Sequence, residues 1–340
     1  MKRRLGAARL GLTREITAMP AQTFATGPNA KAQENNTLSY EGYTKVWGDE
    51  FDGDSLNRDD WNVETHEKGW VNSELQEYVD SEENIQVKDG KLVINPVKKV
   101  SSIESNAVGN LLKNSDFSEG MEGWTQTIAN WGGETGSADA STKEVVSYTS
   151  GRVSTQNKQT FTYGRFECRA KVPKGQGYLP AFWLMANDEN VYGQWPRCGE
   201  IDCMEVMGQE TNKAYGTVHY GNPHAQSQGT YYTGENESDF SDDFHVFTCD
   251  WEPGKITWYV DGVKYHEEND WYSTTVGQGT LAYPAPFDQP FYIILNLAVG
   301  GSWVGNPNDE TSFENNPYEI DYVRVYQKES YNEDVKRPVK

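Results

Sequence analysis

Cysteine and histidine are scarce in this 340-residue chain, and their spacing is poorer still. The four cysteines (Cys168, Cys198, Cys203, Cys249) form no CxxC pair. The five histidines (His66, His219, His224, His245, His266) form no HExxH motif and join no paired Cys/His cluster, which excludes a zinc enzyme of the usual kinds. Around Cys168 apolar residues alternate with polar ones, Phe166, Cys168 and Ala170 against Arg165, Glu167 and Arg169, so buried thiols are expected rather than disulfides or metal ligands. Basic residues are also few. Lys and Arg number 30 against 51 Asp and Glu, and the net charge of -21 repels polyanions, so neither nucleic acid nor an anionic membrane is an expected partner. No run approaches the roughly 18 apolar residues of a membrane-spanning helix. Helical periodicity is nearly absent throughout.

What the chain has is aromatic surface and glycine: 11 Trp, 20 Tyr, 12 Phe and 32 Gly, a balance that favours β-structure. At about 150 residues per domain, the length suits two domains or one large sandwich. Residues 1–40 read as a disordered leader, because a basic start (Lys2, Arg3, Arg4) is followed by an apolar stretch cut by Arg9, Arg14 and Glu15, a poor export signal. Residues 41–328 read as one domain of short strands broken by turn residues, among them KLVI after Asp89-Gly90, GRFECRAKV, PAFWLMA, and ITWYV before the hairpin signal Asp261-Gly262. Many strands at short spacing imply an antiparallel sandwich or barrel. An insertion at 101–142 interrupts them. Its Asn114-Ser115-Asp116-Phe117 and Gly123-Trp124 resemble the start of a sandwich carbohydrate-binding module, truncated to some forty residues. Residues 329–340 read as a solvated polar tail.

The segment Gly199-Glu200-Ile201-Asp202-Cys203-Met204-Glu205-Val206 places three carboxylates among apolar residues. On a regular strand Glu200 and Asp202 share one face and Glu205 points to the other. One extra residue near Cys203 or Met204, a β-bulge, returns Glu205 to the face of Glu200. The two glutamates are then roughly 13 Å apart at Cα, and long side chains leaning inward can approach the ~5 to 5.5 Å separation of a retaining glycosidase. Crowded like charges raise at least one pKa, which keeps a proton available. Trp183, Trp195 and His219 lie within some forty residues of the acids, and a flat aromatic face stacks on a sugar ring.

GEIDCMEVMG resembles the catalytic strand of glycoside hydrolase family 16 in its bulged ExDxxE form. VWGDEFDG, WVNSELQEYVD, YTSGRVSTQ, YGRFECRAKVPKGQGYLPAFWLM, YGTVHY, FYIILNLAVGG and YEIDYVRVY resemble segments of its laminarinase-like members. The resemblance implies an all-β, concanavalin-like β-jelly-roll sandwich of two curved antiparallel sheets with a carbohydrate cleft on the concave face. It makes Glu200 the nucleophile, Asp202 its electrostatic partner and Glu205 the general acid/base. It places Trp183, Trp195 and Trp303 at sugar subsites and Asn72, Arg152 and Asn296 near the cleft. His219, on the face of Tyr215 and Thr217, is either a hydrogen-bonding partner near the acid/base or a packed histidine. The resemblance also implies a structural calcium ion on the convex side, held by Glu50, the Gly90 carbonyl and Asp321, all oxygen donors as Ca²⁺ requires.

The expected activity is endo-acting, retaining cleavage of β-1,3-glucan. The alternatives are a mixed-linkage β-1,3-1,4-glucanase and a non-catalytic glucan-binding protein, and retention of Glu200 and Glu205 argues against the latter. A monomer acting outside the cell on a polymer is the expected setting.

Overall fold

A computed structural model describes residues 40–103, 143–234, 237–277 and 279–339. The expected leader lies outside these residues except for Tyr40, and so does the insertion beyond Ile103. Among the described residues there is no helix, and two large antiparallel sheets carry the architecture.

One sheet has the spatial order Val263–Glu268, Lys255–Val260, His245–Glu252, Gly164–Lys171, Tyr318–Lys328, Leu92–Ile94, Ile85–Val87, with Tyr43–Asp49 also paired to Tyr318–Lys328. The other has the order Ala225–Tyr232, Lys213–Tyr220, Glu200–Glu205, Tyr178–Ala186, Phe291–Val299, Arg152–Ser154, Asn62–Val63. Between them lies a core in which Trp61, Trp251, Trp258, Phe166, Phe182 and Phe247 are fully buried. The all-β sandwich expected from the sequence is therefore the observed fold. A smaller sheet joins Gln76–Tyr78, Lys143–Ser150 and Val97–Ile103.

Turn chemistry is where the sequence signals it. Asp261 and Gly262 both have positive φ (49° and 79°), the type I′ pattern, and close a two-residue hairpin in which Val260 pairs with Val263. Asp89 and Gly90 (54° and 68°) do the same between Lys88 and Lys91, whose backbones exchange hydrogen bonds of 2.9 and 3.1 Å. All four cysteines are free and buried, as expected. The C-terminal segment is exposed along most of its length but is tied to the domain at points: Tyr331 packs on Tyr163 at 5.3 Å, and Arg337 bonds Asp270 at 2.5 Å. Aromatic and charged side chains spaced along a polar segment anchor it at separate points.

The strand Glu200–Glu205 is bulged where the spacing of its acids requires. Asp202 pairs with Thr217 and Glu205 with Tyr215, so Cys203 and Met204 together face the single residue Gly216. On its other side Phe182 pairs with Met204 and Trp183 with Asp202, which leaves Cys203 unmatched. The opposite sheet holds this irregularity. Trp258 reaches across the core and its Nε1–H donates to the Asp202 carbonyl at 2.8 Å. Gly216 makes room for it, because a Cβ there would stand 2.4 Å from Trp258 Cδ1 and 2.5 Å from Tyr265 Oη. Gly216→Ala is therefore expected to lower unfolding free energy by about 1–3 kcal/mol, the usual cost of overpacking a filled core. Urea unfolding of variant and parent measures it, and equal midpoints would mean that the indole yields without cost.

Candidate active site

Strand register turns the exposed face of the second sheet into three rungs. The first runs Gln226, His219, Glu200, Met185, Tyr292; the second Gln228, Thr217, Asp202, Trp183, Ile294; the third Thr230, Tyr215, Glu205, Ala181, Asn296, Arg152. The three acids thus occupy the same column in successive rungs. Were Cys203 and Met204 to continue the regular pleat instead of bulging, Glu205 would enter the core and the third rung would lose its acid. Two adjoining depressions of about 580 and 480 Å³ share Asn72, Glu74, Leu179, Trp195, Glu200 and Glu205, so the acids line one continuous cleft.

The acids perturb one another. Asp202 is 3% exposed, and Glu200 keeps 18% of its side chain accessible. Burial, then the Asp202 charge, pushes Glu200 up to about 8, although His219, Trp195 and Arg152 oppose the shift. Burial, followed by the charges of Asp202, Glu200 and Glu74, raises Glu205 well above the carboxylate range. Both glutamates are thus pushed toward the protonated form, but only at Glu200 do a histidine, an indole and an arginine oppose the shift, so Glu205 is the one placed to hold its proton when Glu200 ionises, the state a general acid needs. His219 lies with Nε2 3.3 Å from Asp202 Oδ2 and 3.7 Å from Glu200 Oε1. Burial lowers its pKa, but the contact with Asp202 and the charges of both acids outweigh that and raise it. His219, expected either near Glu205 or packed away, is set instead beside Asp202 and Glu200, two rungs from Glu205.

All the substrate-binding positions expected from the sequence line the cleft. Trp195 and Trp303 present 45% and 44% of their surface, Trp303 edge-on to Tyr215 at 5.4 Å. Trp183 differs in kind: its Nε1–H donates to Asn296 Oδ1 at 2.7 Å and the Arg152 guanidinium lies 4.8 Å from its ring, so this indole braces the cleft floor and one face is occupied. Arg152 is fixed by Glu64 at 2.6 Å, and Asn296 donates to Tyr78 Oη at 3.0 Å. Asn72 adopts a positive φ of 50° and approaches Glu74 at 3.4 Å.

Sequence reading missed three features. Trp70, 49% exposed, stacks on His66 with ring centres 3.5 Å apart and planes 3° from parallel, forming an aromatic wall at the Arg152 end. It belongs to the same WVNSELQ run that supplied Asn72, and a tryptophan two residues before that position was the signal available. Glu74 is a buried fourth acid whose pKa burial raises. His224 stacks on His219 at 5.2 Å and shares a 3.0 Å hydrogen bond with it. It sits on a turn five residues away, where no strand pattern points to it.

The profile of glycosyl hydrolases family 16 matches residues 112–324. The chain belongs to this family. A glucan endo-1,3-beta-glucosidase of Cryptopygus antarcticus is 37% identical over 82% of the chain and 90% of its own length. Glucan endo-1,3-beta-glucosidase A1 of Niallia circulans is 35% identical over 90% of the chain, which spans 43% of that longer protein. The crystal structure of an endo-beta-1,3-glucanase from Pyrococcus furiosus superposes with a TM-score of 0.62 at 35% identity, covering 85% of this chain and 95% of the other.

In this family 16 hydrolase the positions expected to hold calcium meet beside one strand. Tyr43–Asp49 and Leu92–Ile94 lie end to end along Tyr318–Lys328, with Asp49 opposite Val323 and Leu92 opposite Ile320, so Glu50, Gly90 and Asp321 flank the junction. Their side chains do not fit a dication as arranged. Glu50 accepts from Lys45 at 2.6 Å and from Arg324 at 2.9 and 2.7 Å, and Asp321 accepts from Arg169 at 2.7 Å. Three cations already neutralise the two carboxylates. Chelation is accordingly expected to leave the melting temperature unchanged, whereas a fall reversed by added Ca²⁺ would show that these ion pairs give way to the metal.

The raised acid at Glu200 has a consequence for stability. A carboxyl whose folded pKa lies above its unfolded value contributes stability below the unfolded value and loses it as pH rises through the folded one. For Glu200 that window runs from the ordinary carboxylate range up to about 8. Glu200→Gln should therefore melt above the parent at pH 8, and the difference should shrink toward pH 4. Calorimetry at both values tests this, and a constant difference would contradict the shift.

Proposed function

We propose that this hydrolase is an endo-acting, retaining β-1,3-glucanase that cleaves laminarin-like polymers by double displacement. The observation that carries the reading is the bulge, which gathers Glu200, Asp202 and Glu205 on one exposed face inside a continuous cleft. Glu200 attacks the anomeric carbon and forms a glycosyl ester, while Glu205 gives its proton to the departing oxygen. Glu205 then removes a proton from water, which releases the sugar with its configuration retained. Asp202, flanked by both, holds His219 by charge and keeps its negative field on the reacting centre.

Endo action is supported by aromatic walls on either side of the acids, Trp70 beside Arg152 and Trp303 beside Tyr215, which leave room for chain in both directions. A neutral glucan also suits a chain of net charge -21 better than a sulfated galactan does. A polymeric substrate supports action outside the cell. Mixed-linkage glucan remains the second substrate, since both glucans share the glucose ring that these aromatics stack on.

Reducing-end assays on laminarin, lichenan, agarose and carrageenan test the assignment. Laminarin is expected to be cut fastest, with short oligosaccharides of retained configuration seen by early NMR, and a preference for lichenan would move the function to mixed-linkage cleavage. Glu200→Gln should abolish cleavage of every substrate while glucan binding survives. Glu205→Gln should lose about 10²–10⁴-fold on laminarin, yet retain activity on aryl glycosides with activated leaving groups and yield a β-glycosyl azide when azide is added. Equal loss on both substrates with no azide product would remove Glu205 from the acid/base role.

A further inference from the structure

We propose that Glu200, Asp202 and His219 form a binding site for a divalent transition cation of the zinc class, and that the bound cation blocks the catalytic centre. One donor atom from each residue lies within 4.8 Å of the others, the only such convergence of three His, Cys, Asp or Glu side chains among the described residues. His219 Nε2 stands 3.3 Å from Asp202 Oδ2 and 3.7 Å from Glu200 Oε1. Donors bound tetrahedrally at the usual zinc distances of about 2.0–2.2 Å are themselves separated by about 3.3–3.6 Å. The two separations from His219 already hold nearly that spacing, and the two carboxylate donors lie within 4.8 Å of each other.

A second observation points the same way. Asp202 Oδ2 is buried and has no hydrogen-bond partner, although a buried carboxylate oxygen ordinarily has at least one. His219 Nε2 lies 3.3 Å from it, near enough to interact but outside good hydrogen-bond geometry. The other ring nitrogen explains how that lone pair becomes available. His219 Nδ1 is 3.0 Å from His224 Nε2, and when Nδ1 carries the hydrogen and donates to His224, Nε2 is left bare toward two carboxylates. Three lone pairs then converge with no donor between them. A histidine ligand oriented by a hydrogen bond at its far nitrogen is the usual supporting arrangement of a metal site.

The donor set selects the class of cation. One imidazole with two carboxylates suits Zn²⁺, Cu²⁺ or Ni²⁺, while Ca²⁺ needs six to eight oxygens that this corner of the cleft does not supply. The cleft side stays open for water as the fourth ligand. Metal binding itself is independent of the reaction proposed above. The block rests on that reading, because the cation would occupy the Glu200 lone pair that attacks the sugar, leaving Glu205 on the next rung untouched.

Titrating tag-free full-length protein with ZnCl₂ by calorimetry, and with CoCl₂ by visible absorption, tests the site. The expected result is a tight Zn²⁺ equivalent with tetrahedral Co²⁺ bands, weakened at least tenfold in His219→Gln and in Glu200→Gln and several-fold in His224→Ala. Folding of each variant is checked by circular dichroism and melting. Laminarin hydrolysis by the parent should fall in the same Zn²⁺ range and recover at high laminarin. Zn²⁺ affinity unchanged in both His219→Gln and Glu200→Gln would assign the binding to surface acids and overturn the proposal, as would the absence of Co²⁺ bands. A protein that binds zinc through these residues but cuts no glucan would instead overturn the reaction and leave the metal site standing.

Discussion

The two-residue period of a β-strand is the constraint on which this molecule turns. Three acids cannot share a face at the spacing Glu200, Asp202, Glu205 unless the strand gains a residue, and the gain at Cys203–Met204 must be held by something outside the strand. Trp258 holds it from the opposite sheet through the Asp202 carbonyl, and Gly216 yields the space that the indole needs. The core and the cleft are therefore one problem in packing. A tryptophan buried between the sheets fixes where a glutamate stands on the outer face.

Gathering acids costs solvation, and the surroundings answer it unevenly. At the Arg152 end Glu64 is matched by a guanidinium and by His66, and its pKa is held down despite burial. At the centre His219 and Arg152 offset burial and the Asp202 charge only in part at Glu200, nothing offsets them at Glu205, and protonation relieves the strain instead. The same chain thus stabilises one buried carboxylate as an ion and another as an acid, according to whether an arginine bonds it directly. His219 stands between these regimes, poised by charge rather than by a firm hydrogen bond.

Much of this was legible in the sequence because strand chemistry is local. Asp261-Gly262 and Asp89-Gly90 announce their turns, alternation around Cys168 announces a buried thiol, and the odd spacing of Glu205 announces a bulge before any coordinate is known. The residues left unread are those whose partners are distant or lie on turns. Trp70 becomes a cleft wall only when His66 lies flat beneath it, and His224 matters only because a turn folds it back on His219. The calcium expectation rested on matching positions, which the sheet does bring together, but the cations Lys45, Arg169 and Arg324 come from three strands and no motif records their convergence. Tyr331 and Arg337, likewise, look solvated until Tyr163 and Asp270 meet them.

The rung register also governs how such an enzyme can diversify. Each rung draws residues from several strands, so deleting one residue from a regularly paired stretch would turn the cleft side chains beyond it into the core and break every rung they cross. Heritable changes of length are tolerable only where no rung passes. The hairpin arms Val97–Ile103 and Lys143–Ser150, paired residue for residue from Val97 with Thr149 to Ile103 with Lys143, provide such a place in a separate small sheet. New sequence can enter the lineage between those arms while the acid column keeps its register.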